Sequence, residues 1–188
     1  WADVSHGGKL ELQGPADQLA ALGAELAGRP VPGPGGQATR IGAGWWCPLA
    51  TTRVLVLLAP GDDVQRSAVD DARSRVAPDA SVVDLTSALA ALVLVGPRAR
   101  DVIAGFCALD LRPANSEVGS LHPGSIGRTP GTILHEGPER FRLVFGSALG
   151  EYMWAIVADG AEPLGGRPVG QETLAELDRD TDGTIADA

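Results

Sequence analysis

Two hydrophobic patterns alternate along the chain. Short apolar runs bounded by Gly, Pro or Asp read as strands, and apolar residues three or four apart read as helices. Leu10-Glu11-Leu12-Gln13 is an alternating strand closed by Gly14-Pro15, and Leu19, Leu22, Ala24 and Leu26 sketch a short helix after it. Proline suits that first turn, where a missing N–H would have no partner anyway. Residues 28–36 form a loop of Gly, Pro and little else. Ala38 to Leu49 and Arg53 to Ala59 then read as two strands. Pro60-Gly61 ends the second, and Asp62 or Asp63 caps a helix running to Val76. Val64, Ala68, Val69, Ala72 and Val76 share its apolar face, Asp71 and Arg75 can pair on the wet one, and Ala77-Pro78 stops it.

The order then repeats. A strand from Val82 to Val95 precedes Gly96-Pro97 and a helix to about Leu109, with Val102, Ile103 and Phe106 inward. An irregular hairpin covers Asn115 to Gly131. Ile133-Leu134-His135 and Phe141 to Phe145 alternate as a strand pair around Gly137-Pro138. Ser147 caps a helix carrying Leu149, Tyr152, Met153, Ile156 and Val157 at a 3.6-residue period. Leu10 to Pro15 recurs as Leu92 to Pro97, and Asp3-Val4-Ser5 as Asp84-Leu85-Thr86, nearly in one frame. The expectation is an α+β fold of two pseudo-repeated β-α-β-β-α-β units of the ferredoxin-like split kind. One domain spans 1–170, with halves 1–80 and 81–170, and 171–188 is an acidic C-terminal tail with one or two helical turns over Gln171 to Leu177 and a frayed acidic stretch from Asp178 to Gly183. The expected core contains Leu12, Leu22, Val56, Leu58, Val69, Leu94, Ile103, Val144 and Ile156.

Composition narrows the classes. The 188 residues carry a net charge of −9, so no basic footprint for nucleic acid or an anionic membrane exists. The longest apolar runs, such as Ala88 to Val95, are far shorter than the roughly 20 residues of a membrane span. Trp1-Ala2-Asp3-Val4 lacks the character of a secretory leader, and we expect a cytoplasmic protein. Lys9 is the single lysine. Cys47 and Cys107 fit no zinc spacing and are expected to be reduced, buried thiols.

Candidate chemistry is sparse. Asp178, Asp180, Asp182 and Gly183 match the start of a calcium loop, but its bidentate Glu would fall at position 189, so a solvated tail is expected. His6, His122 and His135 have no metal-pair spacing, and nucleophile-elbow, dinucleotide and phosphate-loop motifs are absent. No catalytic residue and no metal ligand is assigned. Trp45-Trp46 is the unusual feature: strand alternation sends one indole to the core and the other either under a loop or to a partner surface, and we take the partner interface forward.

Asp3 to Pro15, Asp84 to Pro97 and Leu164-Gly165-Gly166-Arg167-Pro168-Val169-Gly170 together resemble the folate-binding aminomethyltransferases of the glycine cleavage system. Within that superfamily, Cys107 to Leu111, Glu139 to Val144 and Tyr152-Met153-Trp154 are most similar to the gamma subunits of heterotetrameric sarcosine oxidases. The resemblance implies an aminomethyltransferase-like domain and tetrahydrofolate as ligand. It also shows departures. Leu58-Ala59-Pro60-Gly61 and Gln65 stand where the family has Asn and a catalytic Asp. The acidic residue that recognises the pterin falls near Pro138, leaving Glu136 and Glu139 beside it as the residues left to bind folate. A pterin needs a carboxylate accepting two parallel hydrogen bonds, so no tightly bound cofactor is expected. The reading that follows is a noncatalytic subunit partnering larger flavoprotein oxidase subunits in one-carbon metabolism. The alternative is a stand-alone tetrahydrofolate-binding one-carbon transferase.

Overall fold

The computed structural model describes residues 1–33, 37–59, 63–74 and 79–185. Ten strands and five α-helices follow one another as β1 (Ala2–Asp3), β2 (Lys9–Gln13), α1 (Ala16–Ala27), β3 (Thr39–Ile41), β4 (Gly44–Ala50), β5 (Arg53–Leu57), α2 (Asp63–Arg73), β6 (Ser81–Asp84), β7 (Leu89–Val95), α3 (Ala99–Ala104), β8 (Leu121–Ile126), β9 (Thr129–Gly137), β10 (Arg140–Gly146), α4 (Gly150–Ala161) and α5 (Gln171–Ile185) among the described residues. The strands make two antiparallel five-stranded sheets, one ordered β3-β4-β5-β2-β6 and the other β8-β9-β10-β7-β1.

Strand alternation sorts side chains into three apolar layers. On the first sheet, Leu10, Leu12, Val54, Val56 and Trp46 turn outward and are covered by Leu19 and Leu22 of α1. On the second, Phe141, Leu143 and Phe145 turn outward beneath Ile103 of α3 and Met153 and Val157 of α4. The inner faces meet each other: Trp45, Cys47, Leu55 and Leu57 pack against Ala91, Val93, Leu134 and Val144. The chain is therefore helix on sheet on sheet on helix, with both faces of both sheets covered.

Several expectations change once pairings are fixed. The strand expected over 38–49 is a hairpin, β3 and β4, turning at residues 42–43 with Gly42 left-handed (φ 56°). The strand expected over 82–95 is two strands in different sheets: β6 pairs β2, and β7 pairs β10. Asp84 breaks the run by accepting the Thr86 N–H at 2.9 Å, a local side-chain turn that ends a strand. The strand that follows α2 does close its sheet, but no strand follows α4 among the described residues; β1 takes the equivalent place beside β7. The helix expected to reach Leu109 ends at Ala104, because Cys107 leaves to bridge Ile126. Ser147 opens a 3-10 turn with no side-chain cap, and α4 starts at Gly150.

The expected core is buried at Leu12, Leu22, Val56, Leu58, Leu94, Ile103 and Val144. Ile156 is only half-buried, since Met153, Val157 and Ala161 are the residues α4 points at its sheet. The side chain of Val69, the cap at Asp62, the partner Arg75 and the stop at Ala77-Pro78 lie outside the described residues.

Trp46 and α1 give a testable consequence. A Cβ added at Gly23 would lie 2.7 Å from the Trp46 ring and 2.7 Å from Val31. Gly→Ala in a helix normally gains about 1 kcal/mol, whereas overpacking a filled core costs about 1–3 kcal/mol. Gly23→Ala is expected to lower unfolding free energy by about 1–2 kcal/mol in urea titration. A stabilised variant would show that the indole does not seat against α1.

Candidate functional site

The inner layer carries one polar seam. Arg142 lies between Phe141 and Leu143, so alternation points it opposite to them, into the layer between the sheets. The β9–β10 register shifts between Arg140 and Phe141, leaving Glu136 as an extra residue between His135 and Gly137. That bulge brings Glu136 beside both arginines. Its Oε2 accepts from Arg140 Nε at 2.9 Å, and its Oε1 stands 2.8 Å from Arg142 Nε as an ion pair without hydrogen-bond orientation. Arg140 also pairs with Asp178 of α5. The Glu136 side chain is only 2% exposed.

Lys9 enters the layer from the opposite sheet, in register with Leu57. Its ammonium donates to the Ser5 and Gly7 carbonyls, both at 2.7 Å, which fastens the 5–8 loop over the edge of β2. Burial, followed by the nearby charge of Arg142, lowers its pKa to about 8. Cys47 lies in the same layer, and burial pushes its thiol well above the ordinary range, with Glu136 reinforcing and Arg142 opposing. A thiol held protonated is not a nucleophile. The seam pairs its charges with one another, from enclosed Glu136 and Arg142 out to the half-exposed Asp178.

The two carboxylates expected at a folate site are separated. Glu136 is enclosed between sheets, whereas Glu139 is exposed at the hairpin turn, where its backbone carbonyl accepts the Gly96 N–H at 2.9 Å. Trp45 and Trp46 do point to opposite faces, but both are buried, at 3% and 1% exposure. β4 is flanked by β3 and β5 and covered on both sides, so neither indole is offered to a partner and the expected interface contact is corrected. The Arg40 guanidinium lies 4.8 Å above the Trp45 ring. Cys47 and Cys107 are free and buried. The acidic tail expected at 171–188 is a helix through Ile185, tied down by Leu174 in the inner layer and by Asp178 on Arg140. No group of three His, Cys, Asp or Glu side chains could hold a metal among the described residues.

A second polar cluster escaped sequence reasoning. The β8–β9 hairpin places His122 opposite Ile133, two positions from His135. His135 Nδ1 lies 2.9 Å from the Ser116 carbonyl, which only accepts, so that nitrogen carries the proton. Ser116 Oγ is 3.0 Å from His122 Nε2. His122 has a lowered pKa, first by burial and then by His135 and Arg100, with Asp110 opposing. The His135 ring stacks on Phe141 at 4.4 Å, and Arg100 lies over the same phenyl at 4.9 Å. A serine beside a histidine suggests acyl transfer, but Ser116 is 1% exposed and no acyl group can reach it. Only the hairpin pairing brings His122 and His135 together; their spacing in the chain carries no signal.

By sequence, neither a family model nor a curated protein matches the chain. By structure, the chain is similar to heterotetrameric sarcosine oxidase from Corynebacterium sp. U-96 in complex with pyrrole 2-carboxylate: TM-score 0.72, 19% identity, over 89% of this chain and 85% of that one. It is also similar to glycine cleavage system aminomethyltransferase T from Bartonella henselae: TM-score 0.62, 16% identity, over 84% of this chain and 44% of that one. The fold is the aminomethyltransferase-like one expected from the motifs.

The seam makes two predictions. Glu136→Gln leaves Arg142 buried without its counter-charge, a change that costs about 3–5 kcal/mol when a buried pair is broken; urea unfolding should show a loss of that size, and a loss under 1 kcal/mol would mean the pair is solvated. Lys9 gives a pH dependence. Its folded pKa, about 8, lies below the unfolded value near 10.4, so folding releases a proton between them and stability rises with pH across that window. Wild type minus Lys9→Met should gain about 2–3 kcal/mol between pH 8 and 10.4 in urea midpoints; a flat difference would show that the ammonium remains hydrated.

Proposed function

We propose that the chain is a noncatalytic, gamma-like subunit of a sarcosine oxidase or a related flavin- and folate-linked amine oxidase, stabilising larger flavoprotein subunits in one-carbon metabolism. The observation that carries this reading is Glu136. Of the two carboxylates flanking the family's pterin-recognising position, Glu136 is enclosed between Arg140 and Arg142 with its side chain 2% exposed, while Glu139 is exposed at the hairpin turn. A pterin would have to displace two guanidinium groups to reach Glu136, and charge-assisted pairs of this kind are the strong ones. The scaffold is kept while one of these two carboxylates is engaged in joining β9 to β10, with Arg140 carrying the link on to Asp178 of α5. Similarity over most of both chains to a protein that is itself a heterotetramer supports a partnered role.

In this reading residues 1–170 form one aminomethyltransferase-like domain descended from a duplicated unit, with halves meeting near residue 80. The equivalent order of pairings in the two sheets, β3-β4-β5-β2-β6 against β8-β9-β10-β7-β1, favours it. A cytoplasmic site of action goes with the partner. No helix among the described residues is long and apolar enough to cross a membrane. The stand-alone tetrahydrofolate-binding transferase has only the fold likeness to aminomethyltransferase T on its side.

The two readings separate in one pair of measurements. Isothermal titration of the purified chain with tetrahydrofolate should give no binding, and co-expression with flavoprotein oxidase subunits of its own source should give a complex on gel filtration. Micromolar folate binding by a chain that elutes alone would establish the transferase reading instead; Glu136→Ala or Glu139→Ala should then abolish that binding.

A further inference from the structure

The histidine cluster plays no part in the proposed role, yet its hydrogen bonds admit one arrangement of protons. Its centre is Ser116, buried in the segment between α3 and β8. Two ring nitrogens face the Ser116 hydroxyl: His122 Nε2 at 3.0 Å and His135 Nδ1 at 3.4 Å. His135 Nδ1 already carries a proton, which it donates to the Ser116 carbonyl at 2.9 Å. It cannot also accept, so the hydroxyl proton is left with His122 Nε2 as its acceptor. That makes His122 a neutral ring with Nε2 bare. The lowered pKa of His122, set first by burial and then by His135 and Arg100, agrees with this assignment.

A proton added at His122 meets opposition from each neighbouring element. Nε2 becomes a donor facing the hydroxyl proton, and the buried Ser116 hydroxyl loses its acceptor, a loss that water does not make good. Arg100 of α3 adds a like charge, and His135 of β9 adds no negative one. Asp110 is the carboxylate that favours the charged ring, but it is already engaged. Its Oδ1 accepts from Arg112 Nε at 2.8 Å, and its Oδ2 accepts from Arg112 Nη2 and Asn115 Nδ2, both at 2.5 Å.

Ser116 also opens a segment that joins the two sheets. His135 N–H donates to the Ser120 carbonyl at 3.1 Å, and Gly119 N–H donates to the His135 carbonyl at 2.7 Å. Ala38 N–H, just before β3, donates to the Gly119 carbonyl at 2.7 Å. The approach is close: Gly119 is left-handed (φ 91°), and a Cβ there would lie 3.0 Å from the Ala38 carbonyl oxygen. Glu117 and Val118 are exposed, and Ser120 is half-buried. Ser116 is therefore the buried side chain that seats residues 116–120.

We propose that Ser116 and His122 form an acid-released latch on this joint. At neutral pH the hydroxyl-to-imidazole bond holds 116–120 against β9 and against the residues before β3. With the segment open, the His122 ring returns to the ordinary histidine value of about 6.5. The open form thus takes up a proton more readily than the seated form. The seated form is favoured above that value and loses ground as the pH falls toward the lowered one. Release removes the Gly119–Ala38 bond between the sheets.

Amide hydrogen exchange of the full chain, read by NMR from about pH 7.5 to about pH 5 and divided by the intrinsic rate at each pH, tests the latch. Protection of the Ala38, Gly119 and His135 amides is expected to fall about fivefold or more on acidification, the change that losing one buried hydrogen bond produces. Amides of the central strand β5 should change less than about twofold. His122→Gln keeps an acceptor where Nε2 stands and takes up no proton, so its three amides should hold their protection throughout. A second check needs no variant: the wild-type His122 ring, followed by NMR, should titrate below about 6.5. Constant protection in the wild type, an equal fall in His122→Gln, or a ring that titrates at or above the ordinary value would overturn the proposal. So would a fall that reaches β5 to the same extent, which marks acid unfolding of the whole chain.

Discussion

Everything else in this molecule follows from two five-stranded sheets lying face to face. A sheet with one wet face can alternate apolar and polar residues, but these sheets have helices on one side and each other on the other. Their central strands must therefore be apolar at nearly every position, as Arg53–Leu57 and Leu89–Val95 are. The same requirement explains why two adjacent tryptophans on β4 both disappear from the surface. It also makes the few polar residues of the inner layer conspicuous, because each needs its charge answered inside the protein.

That answer comes from residues on three different elements. Glu136 on β9 answers Arg142 and Arg140 on β10, and Asp178 on α5 answers Arg140 again. Lys9 is held by carbonyls of its own loop and feels Arg142 across the layer. The seam locks the bulge in β9, the end of β10 and the terminal helix to one another. A carboxylate that serves as a strut cannot also serve as a receptor without breaking the strut.

Chain connectivity adds a second constraint. β1 pairs with β7 and β6 pairs with β2, so the strand before each long run of elements is lent to the opposite sheet. Each sheet thus includes, by backbone hydrogen bonds, a strand that the chain delivers just before it enters the other sheet. Separation of the halves would strip β1 and β6 of their partners as well as open the inner apolar layer.

The local content of these elements was legible in the chain. Strands such as Arg53–Leu57 and Phe141 to Phe145, the helices after Pro15 and within 150–161, and most of the core follow from periodicity and turn residues, which depend on near neighbours in the chain. The fold likeness was legible too, through motifs around Gly-Pro. What the tertiary structure alone decided was pairing and cover. A run such as 82–95 reads as one strand until Asp84 turns it and two different sheets claim its parts. Trp45 alternates correctly, yet its burial is set by a second sheet whose contacting residues lie up to about a hundred positions away. Glu136 looks like a free acid beside a turn, and only the bulge and two arginines make it a buried counter-ion. Periodicity records which face a side chain takes, whereas distant parts of the chain determine what that face meets.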